Sequence, residues 1–192
     1  MHKAESTLFK LFVCLMALLG AGCSARHPPV ADTSFSPSFY QTDIDKVAVL
    51  VESQGRLISR NLSYRYLEDD FITALMRKGY RVASRSDLKK LKIEVNFQHS
   101  GLTDFDAVQI GRMLNIPAII VVSITSMDRI GHRTYNIQKY FCAIGARLIS
   151  VEKGEVLWIG KIAGYGYATS ENELIPGLLY SLAESFPPRQ QR

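Results

Sequence analysis

Three cysteines in 192 residues are too few for a disulfide scaffold, and two of them, Cys14 and Cys23, stand close together near the N-terminus. No apolar stretch is long enough to cross a bilayer as a helix, which takes about 20 residues. The run Leu11 to Leu19 falls well short of that. Neither sign of charge dominates, with 23 Lys and Arg against 18 Asp and Glu. A scattered excess of that size solvates a surface and makes no case for a nucleic-acid partner. Catalytic signatures are missing too: there is no Gly-rich phosphate loop and no nucleophile elbow. Asp69 and Asp70 are neighbours on an expected helix, so their side chains diverge by about 100° and cannot share acid and base roles. Asp104 and Asp106 fall in the first turn of another, where acids favour the helix dipole. His99 and His132 lie in expected loops without Cys or Glu at zinc spacing. Cys142 alternates on an expected strand and reads as a small buried hydrophobe. The expectation is therefore no enzyme, no cofactor and no metal.

What the sequence does have begins at "LLGAGCSARHPP", residues 18–29. Lys3 and Lys10, a short apolar core and three small residues make an export signal. With Cys23 directly after Gly20-Ala21-Gly22, the stretch resembles the lipobox of bacterial lipoproteins. That resemblance implies that Cys23 receives diacylglycerol and palmitate-type acyl chains and becomes the mature N-terminus. Gly20 stands where the family usually has leucine, with Leu19 one step earlier, so a cleaved but unlipidated signal stays open. Ser24, in place of the aspartate that retains many lipoproteins in the inner membrane, implies the outer membrane, facing the periplasm. Cys142 is then the one thiol left in the mature chain.

Residues 1–22 are thus expected to be signal peptide and 23–45, rich in Ser, Pro and Asp, a flexible tether. Phe35, Phe39 and Tyr40 are unusual in a spacer and are expected to dock, on the protein's own domain in preference to a partner. The folded part, 46–186, opens with "KVAVLV", apolar throughout as in a strand covered on both faces. Phe71, Leu75 and Met76 recur at helical spacing, and Gly79 ends that helix. A second strand over 80–84 and a short helix over 87–97 follow. Thr103 and Asp106 mark the capped start of the next helix, in which Gly111 permits close approach to a sheet. A strand over 118–123, a hairpin turning at Glu152-Lys153-Gly154, a closing helix and a tail from 187 complete the chain. The sum is an α/β (α+β) fold: a mixed sheet in β-α-β-α-α-β order with a C-terminal antiparallel hairpin.

"DAVQIGRMLNIPAIIVVSIT" followed by "ARLISVEKGEVLWIGK" resembles the CsgG-like envelope lipoproteins, which include the curli secretion channel and the LpoB-type activators of penicillin-binding proteins. These motifs mark packing and turns, so they imply a fold more than an activity. A membrane barrel needs strands of about 9 to 11 residues with an alternating lipid face. The stretch "SMDRIGHRTYNIQK" (126–139) is short and charged, which argues against a pore. The resemblance implies a non-catalytic lipid-anchored adaptor or assembly factor, held to the membrane through Cys23 and working on a protein partner in the envelope. The alternative is a subunit of an oligomeric secretion channel, and self-association is left open. Leu157, Ile159, Tyr165 and Tyr167 are the candidate partner surface, with cover of that strand by the protein's own helices as the favoured alternative; the basic stretch 85–92 reads as a solvated helix face. Replacing Cys23 by Ala is expected to move the protein out of the membrane fraction, as read by fractionation and intact mass. Undiminished membrane retention would contradict the lipid anchor.

Overall fold

A computed structural model describes residues 29–53, 64–83, 103–134, 137–168 and 173–189. In chain order they form β1 (Asp32–Phe35), a 3-10 turn (Pro37–Gln41), β2 (Lys46–Ser53), α1 (Tyr64–Arg77) and β3 (Arg81–Val82). Then come α2 (Asp104–Leu114), β4 (Ala118–Thr134), β5 (Ile137–Ser150), β6 (Val156–Ala168) and α3 (Ile175–Ser185). The strands make one six-stranded sheet in the order β1-β6-β5-β4-β2-β3. β2 runs parallel to β3 and β4, while β4, β5, β6 and β1 pair antiparallel in succession. This is the mixed α/β sheet expected.

The apolar run of β2 is buried on both faces. Val47, Val49 and Val51 join a core with Phe71 and Leu75 of α1 and Leu178, Leu179 and Leu182 of α3. Ala48 and Leu50 face the other way, into a smaller core with Ala107 and Ile110 of α2 and Ile119 and Val121 of β4. α1 ends at the left-handed Gly79, φ 89°. α2 starts on a capping box: the Asp106 amide donates to the Thr103 hydroxyl, and the Thr103 amide donates to the Asp106 carboxylate. It stops at Asn115, φ 51°. A methyl on Gly111 would collide with the Val151 side chain, so glycine here lets α2 lie directly on the end of β5. Gly154, φ 70°, turns β5 into β6.

Three features depart from the reading of the sequence. β4 does not end near residue 123; it continues to Thr134, paired with β5 through Ile130↔Lys139 and Thr134↔Ile137. Residues 32–41, within the stretch read as a tether, form an edge strand and a 3-10 turn on the sheet. Phe39 is buried and stacks edge-on with Phe35, so the expected docking is onto the protein's own fold. Third, Leu157 does not point away from Trp158. Ile149 pairs with Val156 and Leu148 with Trp158, so Leu157 is the extra residue of a bulge. Both Leu157 and Trp158 enter the larger core. The helix expected over 87–97 lies outside the described residues.

Trp158 is wholly buried, with its ring 4.8 Å from that of Phe186 in a T-shaped pair. Trp158→Ala is expected to lose about 3–5 kcal/mol, the usual cost of emptying a large aromatic site. Chemical denaturation should show a lowered midpoint at an unchanged slope; near-native stability would contradict this packing.

Candidate interaction surface

Side chains alternate along β6. Trp158, Gly160, Ile162, Gly164 and Gly166 face α3, and the glycines set how closely it packs. A methyl on Gly164 would stand 3.0 Å from Leu178 Cδ2, and one on Gly160 2.9 Å from Leu182 Cδ1. Ile159, Lys161, Ala163, Tyr165 and Tyr167 face the other way and are exposed. Beside them on β5 the register brings Arg147, Gly145, Ala143, Phe141 and Lys139. α2 reaches only the near edge of this face, where Arg147 Nε donates to Asp104 Oδ1 at 2.6 Å. Among the described residues no helix lies over β6 on this side.

The face is graded. Towards the β5–β6 turn, Ile159 is 40 % exposed and Asp32 and Ser34 of β1 lie opposite Lys161 and Ile159. At the far end Tyr165 and Tyr167 are 68 % and 66 % exposed. Lys139 Nζ stands 4.4 Å from the Tyr165 ring centre and 6.0 Å from that of Tyr167, a cation over two aromatic faces. Of the four candidate surface residues, Leu157 is fully buried by the bulge and lines no surface, while Ile159, Tyr165 and Tyr167 share one exposed face. Reading period two through an unseen bulge misplaced the leucine.

The titratable residues weighed for catalysis are scattered or engaged. Asp69 and Asp70 are exposed on α1. Asp106 caps α2, and Asp104, expected to act with the helix dipole alone, holds Arg147. Asp43, Asp45, Arg112 and Glu152 line an open cleft at the opposite end of the sheet, where Asp45 is paired with Arg81. No three His, Cys, Asp or Glu among the described residues are grouped to hold a metal. His99, the basic stretch 85–92 and Cys23 lie outside the described residues, as does the side chain of His132.

No protein-family model matches the chain, and no curated protein matches it. Solved structures do. The chain is similar in fold to PelC. The PelC dodecamer from Paraburkholderia phytofirmans matches with a TM-score of 0.54 at 14% identity, over 85% of this chain and 99% of that one. Lipoprotein GNA1162 from Neisseria meningitidis matches with a TM-score of 0.50 at 16% identity, over 71% of this chain and 92% of that one. The LpoB C-terminal domain from Salmonella enterica gives 0.42 at 19% identity, over 67% and 85%, a likeness too slight to build on. At such identities PelC and the lipoprotein fix the fold and nothing more. The curli channel is not one of these three, so that part of the expected resemblance is not carried further by them.

Cys142 is fully buried, and loss of solvent pushes its thiol from an ordinary 9.0 up to about 12. Burial likewise raises the Tyr80 phenol from 10.0 to about 12, with the Arg189 charge opposing the shift. Both groups hold their proton more tightly in the fold. Their stabilising contribution is therefore complete below their unfolded values and is lost as pH climbs through 9–10 towards 12. Cys142 is expected to ignore Ellman's reagent in the native protein and react once denaturant is added, with thermal stability falling only in the alkaline limb. Rapid labelling of the native protein would contradict its burial.

Proposed function

We propose that the protein is a non-catalytic lipoprotein, anchored through Cys23 in the outer membrane and facing the periplasm, that acts as an adaptor or assembly factor for a machine of the cell envelope. The observation that carries this reading is the exposed strip of β6, in which Ile159 and Ala163 present apolar area on a rigid three-stranded floor. Rigid strands are good platforms for protein contact because little side-chain or backbone freedom is lost on docking. Ala143 and Gly145 alongside add a small-residue surface that a partner can approach closely. The lipobox-like motif at Cys23 and the likeness in fold to a lipoprotein support the anchor.

A second reading is favoured by a separate observation: the protein it resembles over 99% of that chain's length, PelC, forms a dodecamer. In this reading the partner is a further copy of the chain and the product is a ring, the arrangement that a secretion-channel subunit requires. Low identity leaves the two readings on an equal structural footing, so they are separated by experiment.

A photocrosslinking residue at Ile159 in the full-length protein, activated in intact cells, distinguishes them. The adaptor reading predicts an adduct between the chain and a different protein. An adduct at a multiple of the chain's own mass, with a ring in mild detergent by single-particle imaging, establishes the second. No adduct at all would contradict both.

A further inference from the structure

We infer that the far end of the sheet, formed by the β4–β5 tip and the last turns of β6, lies against the bilayer that holds the Cys23 acyl chains. Tyr165, Tyr167, Ile130 and Lys139 then meet the lipid interface. The inference rests on the lipid anchor proposed above and adds an orientation and a contact surface to it.

The argument begins where the described chain starts. The Pro29 ring lies 3.6 Å from the point where a Cβ on Gly164 would stand, and β1 then runs antiparallel along β6 from Asp32 opposite Lys161. The N-terminal lead therefore meets the domain at the level of Gly164, towards the Tyr165 end of β6. Only residues 24–28 separate Pro29 from Cys23. Fully extended, those six steps span about 20 Å.

The sheet continues in the same direction. Gly164 pairs with Cys142, and Cys142 with Met127. From Met127 to Thr134, β4 has seven further steps, about 23 Å at strand rise. The hairpin thus projects past Pro29 about as far as the lead can reach. With the acyl chains in the membrane, the bilayer surface lies within that reach of Gly164, and a domain standing on its lead brings the tip into the headgroups.

The chemistry of this end suits that position. Tyrosine carries an apolar ring and a polar hydroxyl and gathers at membrane interfaces. Among the described residues Tyr165 and Tyr167 are the two most exposed aromatic side chains on the sheet, and Ile130, 40 % exposed, shares their face at the tip. Lys139 holds its ammonium over the Tyr165 ring and so keeps a positive charge at this end of the sheet, and Arg129 is exposed on the same stretch of β4. Between Asp128 and Tyr135 the strand offers Ile130 as its one large aliphatic residue, too little for a spanning strand with a lipid face. The tip rests on the interface and does not cross it.

The test uses the full-length acylated protein in vesicles of phosphatidylethanolamine and phosphatidylglycerol, with acyl chains brominated near the headgroups or left plain. Tyr165→Trp places a reporter at the proposed contact and Met113→Trp one at the opposite end, while buried Trp158 supplies a constant background. The expected result is a loss of emission in brominated relative to plain vesicles for Tyr165→Trp, with none for Met113→Trp. Flotation with the vesicles but equal emission from Tyr165→Trp in both would overturn the inference while leaving the anchor intact. A blue-shifted Tyr165→Trp emission that bromine does not quench would also overturn it, pointing to a second copy on this surface. Failure to float, with an intact mass lacking the acyl chains, is the separate failure of the anchor and takes the inference with it. Unchanged melting of both variants shows that the fold is preserved.

Discussion

Parallel strands must be covered on both faces, and the parallel pair β2–β4 imposes that demand on this protein. Val47 and Val49 look one way, Ala48 and Leu50 the other, and no solvent-facing stripe exists on β2 to relieve it. α1 and α3 answer on one face and α2 on the other. α2 has to sit over β2 and β4, where Ile119 and Val121 need cover, and Gly111 against Val151 seats it there. Its reach ends at Arg147, held by Asp104. The outer face of β6 is therefore bare of described helices because of where burial is needed most. An exposed floor for contact follows from the packing of the opposite edge.

Much of this was legible in the residues. The capping box at Thr103, the helix end at Gly79 and the turn at Gly154 are local devices, each carried by a residue type that the sequence shows directly. The continuous apolar runs of β2 and the first half of β4 likewise announce strands buried on both sides. What escaped was everything that depends on register. Thr125 and Leu157 are single inserted residues, opposite pairs Ile124↔Ile144 and Ser126↔Ala143 in one case and Ile149↔Val156 and Leu148↔Trp158 in the other. A bulge reverses the faces beyond it and leaves no composition signal. It sent Leu157 into the core and kept Ile159 outside. The charged stretch after Ser126 failed as a strand signal for a related reason: β-pairing there is supported by the neighbouring strand, since Asp128, Arg129 and Ile130 are exposed.

The edge strand β1 has a consequence for function that the tether reading concealed. A spacer of Ser and Pro running from Cys23 to Asp45 would let the domain work tens of ångströms from a membrane. Laid along β6 instead, residues 29–35 are part of the fold, and in the anchored protein proposed above only residues 24–28 would separate it from Cys23. β1 also covers the Trp158–Lys161 part of the β6 edge, where unpaired backbone would invite pairing with other chains. Built this way, the protein sets the position of its exposed face by the geometry of the sheet. Ile159 and Ala163 sit nearer the base of that face and the tyrosines at its tip, so the proposed protein contact and the proposed membrane contact fall at different levels of a single strand.

The central claim is this division of one sheet into a helix-covered base and a tip that meets its environment, and hydrogen exchange on the full-length protein tests it directly. With vesicles present, the account predicts slowed exchange confined to residues 127–134 and 163–168. Exchange in β2 and in the Ile119–Val122 stretch of β4 should stay as slow as global unfolding allows, with or without lipid. Slowing centred on α2, or spread evenly over the sheet, would contradict it.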